Sequence, residues 1–119
     1  MQQIYRLKSS KSFDYIHKHG KSYANNNLVL VYAPTKFNLK VGFSVSKKIG
    51  KAVVRNKVKR RLREGFRLMI PYLDPHFNYM FIARGNAKDC DYHQLLSSMQ
   101  HLLIKANLVV NREEINNIK

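Results

Sequence analysis

Between Lys47 and Arg67 the chain carries ten basic residues: Lys47, Lys48, Lys51, Arg55, Lys57, Lys59, Arg60, Arg61, Arg63 and Arg67. One acid, Glu64, interrupts them. Val54, Val58, Leu62 and Phe66 thread through the run at helical spacing, and Arg55, Lys59, Arg63 and Arg67 repeat every fourth residue beside them. Such a helix packs with one face and holds positive charge in fixed geometry on the other. Arg adds planar, bidentate recognition of phosphate. The chemistry implied is binding of a regularly spaced polyanion, which points to a structured nucleic acid.

The other side chains that could do chemistry do not converge in sequence. A metal-dependent phosphodiesterase gathers carboxylates around divalent ions. Here Asp14, Glu64, Asp74, Asp89, Asp91, Glu113 and Glu114 are scattered, and Asp89 and Asp91 read best as helix-capping residues. His17 and His19 lie in a lysine-rich helix end, while His93 and His101 stand eight residues apart with nothing to select a pair. Cys90, the single cysteine, excludes an internal disulfide framework and reads as a structural thiol. The expectation is no catalytic residue and no metal site in this chain.

Twenty-two Lys and Arg against seven Asp and Glu give a net charge of +15 over 119 residues. Self-repulsion of that size costs stability, and a polyanionic partner relieves it. Hydrophobic content of 45%, with seven Tyr and six Phe, argues for a real core rather than a disordered basic chain. No apolar run approaches the ~20 residues of a membrane span, and Met1 to Lys11 is polar and basic rather than a secretory signal. The sequence therefore reads as one intracellular, soluble, nucleic-acid-binding domain over residues 1–119, with a polar tail from Asn111 expected to fray.

The elements that would position the basic face follow from local patterns. Ser10 as N-cap, Phe13 and Ile16 as apolar edge, and Gly20 as a left-handed C-cap predict a first helix. Leu28 to Ala33 predicts a strand ended by Pro34, and Ser22 to Ala24 a short edge strand before it. Val41, Phe43 and Val45, alternating with Gly42, Ser44 and Ser46, predict a strand with one apolar face and one small, polar face. The basic helix is expected from about Val54 to Ile70, stopped by Pro71, with Val54, Val58 and Leu62 in the core. Phe77 to Ala83 predicts a further strand ended by Gly85. Asp91 and Gln94 predict a capping box on a last helix whose apolar face is Leu95, Met99, Leu102, Leu103 and Ala106. The order αβββαβα fits an α+β domain: one mixed four-stranded sheet with three helices packed on it.

The segment from Val41 to Phe66 resembles the protein subunit family of bacterial ribonuclease P. The resemblance rests on Arg55-Asn56, Lys59-Arg60 and Arg63 after Lys47-Lys48 and Gly50. It extends to Phe13, His19-Gly20, Ala83-Arg84, Tyr92 and Leu102-Leu103. In that family a large catalytic RNA binds Mg²⁺ and cleaves precursor tRNA to free the mature 5′ end, while the small basic protein assists. The resemblance implies that Arg55, Asn56, Lys59, Arg60 and Arg63 contact the catalytic RNA. Lys47 and Lys48 would flank them, and Arg67 would continue the same face. Mg²⁺ would be held by the RNA and substrate, not by a protein site. It also implies a left-handed strand–helix–strand crossover, of a type shared with a ribosomal protein domain, where general handedness rules give the opposite.

A second surface implied by the resemblance is a cleft between the first helix and the sheet for the single-stranded 5′ leader. Its residues would be Phe13, His17, Val31 and Ser46, with His17 and Val31 standing where relatives carry aromatics. Stacking and a basic groove suffice to hold such a strand. The plain alternative for Phe13 is packing against the sheet. The competing functions are a structural, ribosomal-type RNA-binding protein and a membrane-surface helix. Against the latter, the apolar face of the basic helix is needed to cover the sheet. Precursor tRNA and the catalytic RNA are thus the expected partners, with no membrane and no small-molecule substrate.

Overall fold

The computed structural model describes residues 5–7 and 10–118. Its elements are α1 (Ser10–His19), β1 (Lys21–Ala24), β2 (Leu28–Pro34), β3 (Lys40–Ser44), α2 (Ala52–Met69), β4 (Phe77–Ala83), α3 (Tyr92–Lys105) and α4 (Arg112–Asn116). The four strands form one mixed sheet in the order β1-β2-β4-β3. β1 with β2 and β2 with β4 are antiparallel, whereas β3 and β4 are parallel neighbours joined through α2. A parallel pair needs a long crossover, and the basic helix supplies it.

Alternation along the strands gives the sheet two unlike faces. Leu28, Leu30 and Tyr32 of β2, Val41 and Phe43 of β3, and Tyr79 and Phe81 of β4 face α2 and α3 in the main core. Phe66 of α2 meets three of them, with ring centroids 5.7 Å from Tyr79, 5.7 Å from Phe81 and 6.1 Å from Phe43. The opposite face is smaller: Ile16 of α1 covers Val31, Ala33 and Met80. Repulsion between like charges spaced four apart costs about 0.2–0.5 kcal/mol per pair. Burying each of Val58, Leu62 and Phe66 contributes about 1.5–3 kcal/mol, so packing outweighs the repulsion and α2 stays seated.

Two glycines act through space rather than backbone sign. Among the described residues no glycine lies in the left-handed region, so Gly20 is not the left-handed cap that its position suggests. Its N–H donates to the Ile16 carbonyl at 2.7 Å. A Cβ there would collide with the Ile16 carbonyl and lie 2.7 Å from that of Tyr32. Gly65 of α2 likewise lets α3 approach, since a Cβ would sit 2.8 Å from Met99 Cε. The left-handed residue at a helix end is Asn107, φ 59°, just past α3, a place Asn tolerates.

The predicted ends shift in understandable ways. Ser10 is the first residue of α1, so the cap position falls outside the described residues. Pro34 remains in β2 as its exposed last residue, and β3 ends at Ser44, before Val45. α2 starts at Ala52 and ends at Met69, where Ile70–Tyr72 tightens into a 3₁₀ turn around Pro71. Val54 is only half-buried rather than a core residue, because it lies at the helix edge against Gly50. The capping box on α3 forms as its sequence predicts: Asp91 accepts from Gln94 N at 2.8 Å and Gln94 Oε1 accepts from Asp91 N at 2.9 Å. The expected loose tail instead holds α4, because Asn111 caps it and Ile115 is fully buried.

Gly20→Ala sets a methyl against two backbone carbonyls that cannot rotate away. The expected cost is about 1–3 kcal/mol of stability, read from the urea midpoint. An unchanged midpoint would show that the α1–β1 junction yields freely.

Candidate nucleic-acid interface

α2 distributes its residues by helical geometry. Val58, Leu62, Gly65, Phe66 and Met69 are buried against the sheet and α3. Asn56, Lys57, Arg60, Glu64 and Arg67 are exposed, and Arg55, Lys59, Arg61 and Arg63 are half-buried along the flanks. The four-residue series advances slowly around the helix, so Arg55, Lys59 and Arg63 run beside the core contact while Arg67 emerges outward. Arg61 lies on the other flank, where its Nη1 donates to the Cys90 carbonyl at 2.6 Å and ties α2 to the turn before α3. That cation is structural.

The remaining cations are largely uncompensated. Among the described residues the only ion pair is Arg67–Glu64, 3.5 Å apart and half exposed, a class worth about 0–1 kcal/mol. Arg55 Nε is buried with no hydrogen-bond partner. Before the helix, Lys47–Ile49 forms a 3₁₀ turn pinned by buried Ile49, which leaves Lys47 and Lys48 exposed. Lys51 occupies the N-cap position without a side-chain cap. The positive end of the helix dipole therefore faces the same way as three lysines. Arg55, Asn56, Lys59, Arg60, Arg63, Arg67, Lys47 and Lys48 thus share one helix and the turn leading into it.

A groove opens between α1 and the β3 side of the sheet. Its wider part, about 420 Å³, is lined by Phe13, Asp14 and His17 of α1, Phe43 and Ser44 of β3 with Val45, Lys59 of α2, and Met80 and Ile82 of β4. A smaller recess of about 130 Å³ continues past Phe13 to Arg6, Leu7, Gly42 and Arg63. Phe13, Phe43 and Lys59 belong to both. The hollow exists because β3 presents Gly42 and Ser44 on this face. A Cβ on Gly42 would sit 2.5 Å from Phe13 Cζ, so the ring lies directly over the glycine.

The expected cleft residues divide. Phe13 is half-buried in the groove, both packed on the sheet-side cluster and open to the hollow. His17 is exposed at the rim. Val31 is not in the lining: pairing with Met80 puts it one strand further in, 4% exposed beneath Ile16. Ser46 is not in the lining either; it stands exposed as the cap of the lysine turn. Sequence reasoning missed Arg6, Phe43 and Asp14, and placed Lys59 and Arg63 on the helix face alone. The period of Arg55, Lys59, Arg63 and Arg67 relative to Val58 and Leu62 could have placed Lys59 beside β3.

Cys90 and Tyr79 are otherwise engaged. Among the described residues no three His, Cys, Asp or Glu side chains gather to hold a metal. Cys90 is buried and its thiol donates to the Asn86 carbonyl at 3.4 Å. Burial, then Asp91 and Asp89, push its pKa up against the opposing pull of Arg61, so it stays a thiol. The Tyr79 hydroxyl donates to the Asp74 carbonyl at 2.7 Å, and burial first, then Asp74, raises its pKa. What the molecule offers is a charged helix face and a groove sharing one wall.

Comparison with known proteins identifies the family. A family model described as Ribonuclease P matches residues 1–107. The ribonuclease P protein component of Thermoanaerobacter pseudethanolicus is 41% identical over 113 residues, covering 94% of this chain and 97% of the relative. That of Clostridium kluyveri is 43% identical over 108 residues, covering 88% and 96%. Among solved structures, the Staphylococcus aureus RNase P protein superposes with a TM-score of 0.82 at 37% identity, over 88% of this chain and 97% of that one. The RNase P protein of Thermotoga maritima gives 0.77 at 30% identity, over 84% and 96%. With the match spanning the fold, the α2 cations and the groove, the chain belongs to the ribonuclease P protein family.

Proposed function

We propose that this chain is the protein component of a bacterial ribonuclease P, the endoribonuclease that matures the 5′ end of tRNA. α2 and the lysine turn dock on the catalytic RNA, and the groove beside them holds the single-stranded 5′ leader of precursor tRNA. The observation that carries the reading is the shared wall. Lys59 and Arg63 belong both to the basic face and to the groove. An RNA seated on α2 therefore brings its substrate strand alongside Phe13. Bond cleavage is left to the RNA with its own Mg²⁺; among the described residues no three His, Cys, Asp or Glu side chains gather to hold a metal ion.

Single-stranded RNA is held by stacking and by a cationic track, with modest demand for base identity. Phe13 and His17 offer ring faces on the α1 wall, while Lys59, Arg63 and Arg6 supply charge on the α2 wall and beyond. The net +15 also replaces part of the counterion load that folding and pairing two RNAs require.

Two outcomes are expected. RNA-free protein leaves precursor tRNA uncut at any divalent-ion concentration, whereas adding it to the cognate RNA lowers the Mg²⁺ needed for correct cleavage. A correct 5′ cut by clean protein alone would sink the division of labour.

The two surfaces should also separate by mutation. Arg60→Ala weakens assembly with the catalytic RNA by about 1–3 kcal/mol with the fold intact. Phe13→Ala costs about 1–3 kcal/mol of binding only for precursors whose leader reaches the groove. Filter binding of precursor and mature tRNA to the assembled holoenzyme, with circular dichroism of each variant, checks both. Equal loss for mature tRNA in Phe13→Ala would make the ring purely structural.

A further inference from the structure

In a groove built for a polyanion, Asp14 is out of place. It is the only acid in the lining of either part of the hollow. It follows Phe13 directly and precedes His17 by one turn. Its side chain is exposed and makes no ion pair or hydrogen bond among the described residues. Asp14 lies beyond the first turn of α1, so the helix dipole does not account for an acid there.

The charges across the groove fix how a strand can lie. Lys59 and Arg63 stand on the α2 wall and Asp14 on the α1 wall. Phosphates are drawn to the first and repelled by the second, so the bases turn toward α1, where Phe13 stacks. A carboxylate only accepts hydrogen bonds, and unstacked RNA bases are read on their Watson–Crick edges. Guanine presents two adjacent N–H donors there. Cytosine and adenine present an amino group beside a ring acceptor, and uracil a single N–H between two carbonyls.

We propose that Asp14 is a specificity-determining residue: it favours, at one position of the single-stranded leader, a base with adjacent donors, guanine first and uracil last. The inference rests on the leader reading above, and it makes the groove selective where stacking alone is indifferent.

The test uses holoenzyme reconstituted with the cognate RNA and precursor tRNAs in which each leader position is G, A, C or U in turn. Wild-type protein should bind G over U about five- to tenfold more tightly at one position, the scale of a good paired contact. Asp14→Asn, whose amide both donates and accepts, should lose the preference for G there and favour A instead. If Asp14→Asn tightens all four substrates alike, Asp14 is merely an unfavourable charge and the inference falls. It falls equally if wild-type protein shows no base preference at any position. Phe13→Ala separates the two levels. Leader-dependent binding lost in that variant, with an unchanged G-to-U ratio in Asp14→Asn, overturns only the role of Asp14. Binding indifferent to the leader in wild type and Phe13→Ala alike overturns the leader reading as well.

Discussion

Phe66 anchors the basic helix at the centre of the sheet, edge-on to Phe43 and Phe81 and tilted against Tyr79. Everything charged in α2 is oriented by that contact and by Leu62 and Val58, one and two turns earlier. A cationic segment without such an anchor would spread its charges and lose their geometry. Here repulsion among the cations is opposed by apolar burial, which is larger per residue. The result is a row of guanidinium and ammonium groups held in place before any partner arrives, so less ordering entropy remains to be lost on binding.

The same seating creates the second surface. α2 lies over the edge strand β3, so its flank forms one wall of the hollow that α1 closes from the other side. Opposite faces of the sheet contribute unequally. The α2 side holds most of the apolar mass, whereas the α1 side is a thin cluster of Ile16, Val31, Ala33 and Met80. A thin cluster leaves room at its margin. Gly42 and Ser44 keep that margin open, and the Phe13 ring lies over Gly42.

Elements with a strong period were legible in the sequence. α2 showed itself through Val58, Leu62 and Phe66, β4 through its aromatics, and α3 through the Asp91–Gln94 box that the structure contains. The basic side of the interface came with α2, because helix phase alone divides its faces. What was not legible depended on how elements meet. Val31 lies under α1 because its partner across the sheet is Met80, a register that no local pattern announces. Gly20 looked like a cap by position, yet its role is set by the Tyr32 carbonyl on another strand. Ile115 looked like part of a polar tail until the space beneath it was defined by α3 and the turn after α2.

The sheet has two outer strands, and an unpaired strand edge is a template for pairing with other chains. β1 protects its edge by being four residues long and carrying exposed Lys21. β3 is protected differently: Arg6 bridges to Val41, and the Leu7 N–H donates to the Val41 carbonyl at 3.0 Å. Arg6 and Leu7 also line the inner recess of the groove. One short stretch of chain therefore covers the edge and shapes the recess together. Any change that peels it away uncovers a sticky parallel edge at the same moment that it widens the hollow, so aggregation and a reshaped groove should arise as one phenotype.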